Sequence, residues 1–180
     1  MRNRLKNTRC YLIGCMDRVA DAGVVWRRLV KHHLDDLGIV WLDPTCKPCD
    51  IGVEDSESRR QRHENKAAGE YDLVADEMMP IQDVDLRMVS ICDFLICNID
   101  VETHACGTYN ELFLANSQNK PILIHVEGGK ANTPDWLLGC LPHEHVFDDW
   151  FKLRGYIRHV AHDPVVDCMG RWMWFDWMGE

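Results

Sequence analysis

The chain has 180 residues, enough for one domain with a sizeable core. Its formal net charge is −9 and no stretch carries a basic stripe, which argues against a nucleic-acid polymer as partner, since that binding needs clustered Lys and Arg. A small nucleotide, which needs only a few local donors, stays open. No run approaches the roughly 20 apolar residues of a membrane span.

The cysteine count is nine, and several of these residues (Cys10, Cys92, Cys97) sit in apolar runs. An odd, scattered set reads as buried free thiols in a reducing cytoplasm. The basic start is followed only by CYLIG, too short for the core of a secretory signal. The expected location is therefore cytoplasmic.

Residues 1–8 are a polar lead-in, and Cys10 to Gly14 is the first strand. It runs into GCMDRVADAG, a loop with glycine at both ends, where backbone donors can hold phosphate or ribose hydroxyls. Asp17 and Arg18 lie there, either as sugar or phosphate contacts or as a surface ion pair. The loop lacks the dinucleotide and P-loop patterns, so neither NAD binding of that kind nor ATP hydrolysis is expected. Val24 to Leu37 is an amphipathic helix with Val25, Leu29, Val30, His33, Leu34 and Leu37 on its apolar side. Gly38 ends it, and Ile39 to Leu42 is a second strand, parallel to the first through a right-handed crossover.

Residues 45–82 read as an insertion or lid. Cys46 and Cys49 have metal-ligand spacing, but zinc needs about four ligands and no second pair follows. Structural thiols, a zinc site drawing on His63 and a redox pair are the three readings of that CxxC. Glu54 to Gly69 carries dense mixed charge and reads as an exposed helix or flap. Tyr71 to Met79 is amphipathic and suited to covering a pocket. Asp83 and Asp85 then open a further helix, one of them as a plain N-cap.

FLICNI, Phe94 to Ile99, is an apolar block of strand length, as expected of a strand buried on both faces. Cys106-Gly107-Thr108 is a strand-to-helix turn, followed by a helix from Tyr109 to Ser117 with Glu111 in its first turn. There a carboxylate could simply complement the helix dipole. Lys120 to Val126 is another parallel strand, with the Glu127–Lys130 loop at its carboxyl end. Pro134 to Leu141 is a short helical piece whose Trp136 reads as core ahead of pocket wall. His145 to Phe147 is a last short strand. Trp150 to Val160 is a final helix with Phe151, Leu153, Tyr156, Ile157 and Val160 as its apolar side. The tail at 169–180, with RWMWFDW, is aromatic enough to demand cover from its own domain or from a second subunit.

This alternation predicts an α/β chain over 1–180: a Rossmann-like, flavodoxin-like parallel sheet of about five strands with helices on both faces. Tyr11 in CYLIGCMD, Asp85 in DVDLRMV and Glu111 in CGTYNELFLA resemble the motifs of the nucleoside 2-deoxyribosyltransferase-like family. The resemblance covers most of residues 9–126 and is weaker over 45–80. It implies a nucleophilic carboxylate at Glu111, a proton donor at Asp85 and an orienting phenol at Tyr11. Lower-grade substrate contacts would come from Gly14, Asp17, Arg18, Asn98, Asp100, Gly107 and Thr108.

The implied chemistry breaks an N-glycosidic bond through an oxocarbenium-like sugar, with no cofactor and no metal. It needs a carboxylate near the anomeric carbon and an acid near the leaving base. The expected partner is a small nucleoside or nucleotide. The resemblance also implies a homo-oligomer, dimer or higher, in which a neighbouring subunit completes the site. Transfer to a second base and hydrolysis are both open, as are nucleoside and 5′-monophosphate substrates. So are a nucleotide-binding module without turnover and an interaction protein built on the aromatic tail.

Overall fold

Short apolar runs at regular spacing become strands here, and the amphipathic stretches between them become the covering helices. The computed structural model of the chain describes residues 3–47, 55–163 and 170–172. Its strands are β1 (Arg9–Gly14), β2 (Val40–Leu42), β3 (Phe94–Ile99), β4 (Ile122–Val126) and β5 (Val146–Phe147). All pair in parallel, in the order β2-β1-β3-β4-β5. The helices are α1 (Val24–His33), α2 (Ser56–Ala68), α3 (Tyr71–Ile91), α4 (Cys106–Ser117), α5 (Asp135–Cys140) and α6 (Trp150–His162).

The expected parallel α/β sheet of five strands is what forms. Strand alternation divides its core in two. Cys10 and Leu12 of β1 pack with Phe94, Ile96, Val30, Leu153 and Ile157 on the face covered by α1 and α6. Tyr11 and Ile13 point the other way, into a layer with Leu95, Cys97, Met88, Val89 and Leu112 under α3 and α4. The chain reverses its direction of sheet growth between β1 and β3, so the carboxyl ends of these two strands form the crevice where ligands bind in such sheets.

Several elements depart from the sequence reading. No helix begins at Asp83 or Asp85. α3 is one continuous helix of 21 residues that runs through Pro80. Its buried residues Ile81, Met88 and Val89 share a face with Asp85, which therefore points inward from mid-helix and caps nothing. α4 starts at Cys106, so Gly107 and Thr108 lie in its first turn and Glu111 in its second, beyond the strongest reach of the helix dipole.

α1 does not bury Val25 (46% exposed) or Leu29 (48%); it buries Arg27 and Val30. His33 is exposed, while Leu34 and Leu37 are buried just beyond the helix, around a single 3-10 turn. α6 buries Leu153, Ile157, Val160 and Ala161, a spacing that turns Phe151 outward at 79% exposure. The short α5 buries Leu137, which leaves its neighbour Trp136 75% exposed rather than in the core.

Of the aromatic tail, 170–172 is described. Trp172 is buried in its own chain, donating from Nε1 to the Tyr156 hydroxyl at 3.0 Å and packing on Phe94. The rest of the tail, and Cys49 of the CxxC pair, lie outside the described residues. Among the described residues no helix is long and apolar enough to cross a membrane.

Candidate active site

The crevice at the β1 and β3 ends opens into a cleft of about 960 Å³. Gly14, Cys15, Met16, Asp17 and Arg18 form one wall, His104 to Thr108 with Asn110 and Glu111 another, and α2 and α3 the third through Arg62, Lys66, Met78, Gln82 and Asp85. Of the stretch 45–82 expected as an insertion or lid, the described residues 56–68 and 71–82 stand along the cleft in two helices, α2 and the start of α3. α2 is capped at Asp55 by a reciprocal pair of bonds with Ser58, and ends at Gly69 in the left-handed conformation that glycine adopts without strain.

Two of the singled-out side chains meet at the floor. Tyr11, fully buried under the cleft, donates its hydroxyl proton to Glu111 Oε1 at 2.6 Å across 100 residues of sequence. Strand alternation makes this contact: Tyr11 faces α4, and Glu111 sits on the inward side of α4 with Leu112 and Ala115. Burial first, and then the neighbouring Glu111 and Asp85 carboxylates, push the Tyr11 phenol well above its ordinary range. It therefore remains a donor, and a phenol donor favours the charged form of the carboxylate that it meets.

Asp85 reaches the same cleft from α3. Burial pushes its carboxyl above the usual carboxylate range, and the cations Lys47 and Arg27 oppose that push. Lys47 Nζ lies 2.8 Å from Asp85 Oδ1, an ion pair in direct contact.

Gly14, Asp17, Arg18, Gly107 and Thr108 all line the cleft. Gly14 is tightly packed: a Cβ there would come within 3.0 Å of the Asn98 carbonyl and 3.1 Å of the Trp26 ring. A Cβ on Gly107 would meet nothing within 4 Å, so that turn of α4 leaves the cleft open beside Glu111. Asp17 and Arg18 are exposed at the mouth.

Asn98 and Asp100 are not brought to Glu111. They line a second hollow of about 490 Å³ with Asp21, Trp26 and Glu127. Asn98 is engaged by His125 Nδ1 at 2.7 Å and donates to Glu127 at 3.2 Å. Asp100 ties its own turn by accepting from the Thr103 hydroxyl and the Glu102 amide. Both polar ends of β3 thus hold loops in place. Among the described residues no group of three or more His, Cys, Asp or Glu side chains could hold a metal ion.

Two cations escaped the sequence reading. Lys47 is one. The other is Arg27, fully buried inside the α1 stripe. Its guanidinium donates to the carbonyls of Leu12, Gly14, Ala22 and Gly23, and stands 3.9 Å from Asp43. It pins the end of β1 and the loop that walls the cleft. Asp43 is itself held by Lys31 and by the Thr45 hydroxyl and amide. Only a lone arginine between apolar neighbours at helical spacing, just past the glycine loop, could have signalled this role. Arg27→Met is expected to lower unfolding stability by about 3 kcal/mol or more, read by urea denaturation, because buried carbonyls lose their donors. An unchanged midpoint and slope would remove Arg27 as the clamp.

No protein-family model matches the chain, and no curated protein matches it. Solved structures do. One is the 2-deoxyribosyltransferase of the psychrotolerant bacterium Bacillus psychrosaccharolyticus, with a TM-score of 0.54, 18% identity, and coverage of 83% of this chain and 92% of that one. Another is the 2-deoxyribosyltransferase of Leishmania mexicana, with a TM-score of 0.51, 19% identity, and coverage of 87% and 99%. At these identities the likeness concerns architecture: the chain has the fold of the 2-deoxyribosyltransferases.

Proposed function

We propose that the chain cleaves the N-glycosidic bond of deoxynucleosides or their nucleotides and transfers the sugar to another base. The observation that carries this reading is the 2.6 Å bond from the buried Tyr11 hydroxyl to Glu111, on the floor of a cleft that Asp85 enters from a separate helix. A carboxylate held by one oxygen is a positioned nucleophile, and positioning is a large part of what such a site can contribute. A second carboxyl with raised proton affinity is a suitable acid for a departing base.

In the first half-reaction the C1′–N bond breaks as a Glu111 oxygen bonds to C1′. The electron pair of the broken bond leaves with the base, whose nitrogen takes the Asp85 proton. In the second half-reaction a nitrogen of the incoming base bonds to C1′ as the C1′–O bond to Glu111 breaks; the base's proton passes to Asp85, and Glu111 departs as a carboxylate. Water in place of that base gives hydrolysis.

A 5′-monophosphate is the second reading of the substrate. It is favoured by Arg18 and Lys66, which put cations on the wall of a cleft in a chain of net charge −9.

The test incubates pure protein with deoxynucleosides and their 5′-monophosphates, with and without a second free base, and follows bases by chromatography. Base exchange that needs the acceptor is the expected result. Free base without acceptor would indicate a hydrolase, and the monophosphate lanes decide the second reading. No reaction in any lane would overturn the catalytic reading in favour of a binding module.

A further inference from the structure

Burying a lysine gives up the hydration of its charge and the freedom of a long side chain, so a buried lysine needs a reason. Lys47 lies beyond the end of β2, in a stretch whose composition marks it only as a loop, yet its side chain is 1% exposed. Its ammonium points at Asp85, whose side chain is 16% exposed, at 2.8 Å. The arrangement joins the chain beyond β2 to the middle of α3.

We propose that Lys47 is the positioning residue of the proton-transfer step: it holds the Asp85 carboxyl toward the cleft and stabilises the carboxylate that forms as the base departs. The proposal rests on the reading of Asp85 as the acid. Before transfer Lys47 faces a neutral carboxylic acid; after it, a carboxylate. An ammonium attracts the second far more than the first, so the contact strengthens as the reaction proceeds, which is the condition for a contact to accelerate it. The proton that moves is the Asp85 proton, outward to the leaving base and back from the acceptor.

Other charged groups face Asp85 from each surrounding element. Arg27 of α1 is a second cation acting on it. Tyr11 of β1 and Glu111 of α4 lie on its inner side, Arg62 and Lys66 of α2 line the same cleft, and Asp17 and Arg18 stand at the mouth. Lys47 is the group in direct ionic contact, so its removal is the change that Asp85 should feel most.

The sign follows directly. A nearby cation makes a carboxyl a stronger acid, whereas burial makes it a weaker one. Without Lys47, burial acts with less opposition and Asp85 keeps its proton to higher pH. An acid that must be protonated sets the alkaline limb of the kcat/KM profile.

The experiment measures that profile for wild type, Lys47→Met and Lys47→Arg on the best substrate. In Lys47→Met the alkaline limb is expected to move up by about 1–3 pH units, the usual effect of losing an adjacent opposite charge, with kcat lowered and KM little changed. Lys47→Arg, which keeps the charge, should hold the limb near its wild-type place. A Lys47→Met limb coincident with that of an active wild type would overturn the proposal. If Lys47→Met folds poorly, Lys47→Gln carries the same comparison. A carbon-13 titration of the Asp85 carboxyl, assigned with Asp85→Asn, reads the displacement without turnover. A wild type that turns over nothing would instead sink the reading of Asp85 as an acid, and the titration would still report on the ion pair.

Discussion

Glu111→Ala is expected to abolish base exchange, with a loss of about five to six orders of magnitude if the covalent route is the only fast one. The size follows from the division of labour. Without the carboxylate no glycosyl-enzyme forms, and the cleft retains only binding and the acid. The helix itself should survive, because alanine is the strongest helix former and Glu111 sits well inside α4. The cost falls on Tyr11, whose fully buried hydroxyl loses its acceptor; an orphaned buried donor costs about 1–3 kcal/mol. Glu111→Gln separates the two effects, since its amide oxygen still accepts from Tyr11 while a neutral amide is a poor nucleophile. Rates for both variants should be near background, with Glu111→Gln melting close to wild type. Wild-type turnover in either variant would strip Glu111 of the role, and loss of turnover in step with loss of fold in both would leave it a structural residue.

The strands were the legible part of this chain. FLICNI is strand β3 from its first residue to its last because a centrally placed parallel strand must be apolar on both faces, and the sequence has no other way to write that. Helix faces were harder, for a reason visible in α1. A stripe chosen by apolarity selects Val25 and Leu29, yet the inward position belongs to Arg27, which earns its burial through carbonyls that only the folded β1 end presents. Polar residues that pack by hydrogen bonding to tertiary neighbours are invisible to a periodicity argument. The sequence divides α3 because Asp83 and Asp85 resemble a helix start. The apolar and cleft-facing positions Val74, Met78, Ile81, Asp85 and Met88 nevertheless keep one helical phase through the proline. Tyr11, Asp85 and Glu111 stood out by resemblance to a family's motifs, whereas local pattern alone gave Glu111 only a role at a helix start. Lys47 had neither signal. Its importance comes from a contact made across 38 residues between a loop and a helix interior, and no local rule anticipates such a pair.

Asp85→Asn is the second large effect, and it discriminates more sharply than the first. Asparagine keeps the shape of the side chain and an oxygen for Lys47, but it has no proton to give to a departing base. Exchange should fall by about two to four orders of magnitude, the usual contribution of a positioned general acid. The loss should depend on the leaving group. A natural base needs protonation to depart, so its reaction suffers in full; a 2-deoxyribosyl donor whose leaving group departs readily as an anion needs no proton, so its reaction should be nearly spared. The alkaline limb should also vanish from the kcat/KM profile measured with the natural base, because the group that titrates there is gone. An equal loss on both donors would mean that Asp85 places the substrate or supports the cleft rather than supplying a proton. A wild-type rate on the natural base would remove it from the chemistry. Thermal melting of the variant belongs beside the kinetics, because Asp85→Asn replaces the carboxyl that the buried Lys47 ammonium meets at 2.8 Å. A lower melting temperature with an intact response to the activated donor is the pattern expected of an acid that also partners a buried cation.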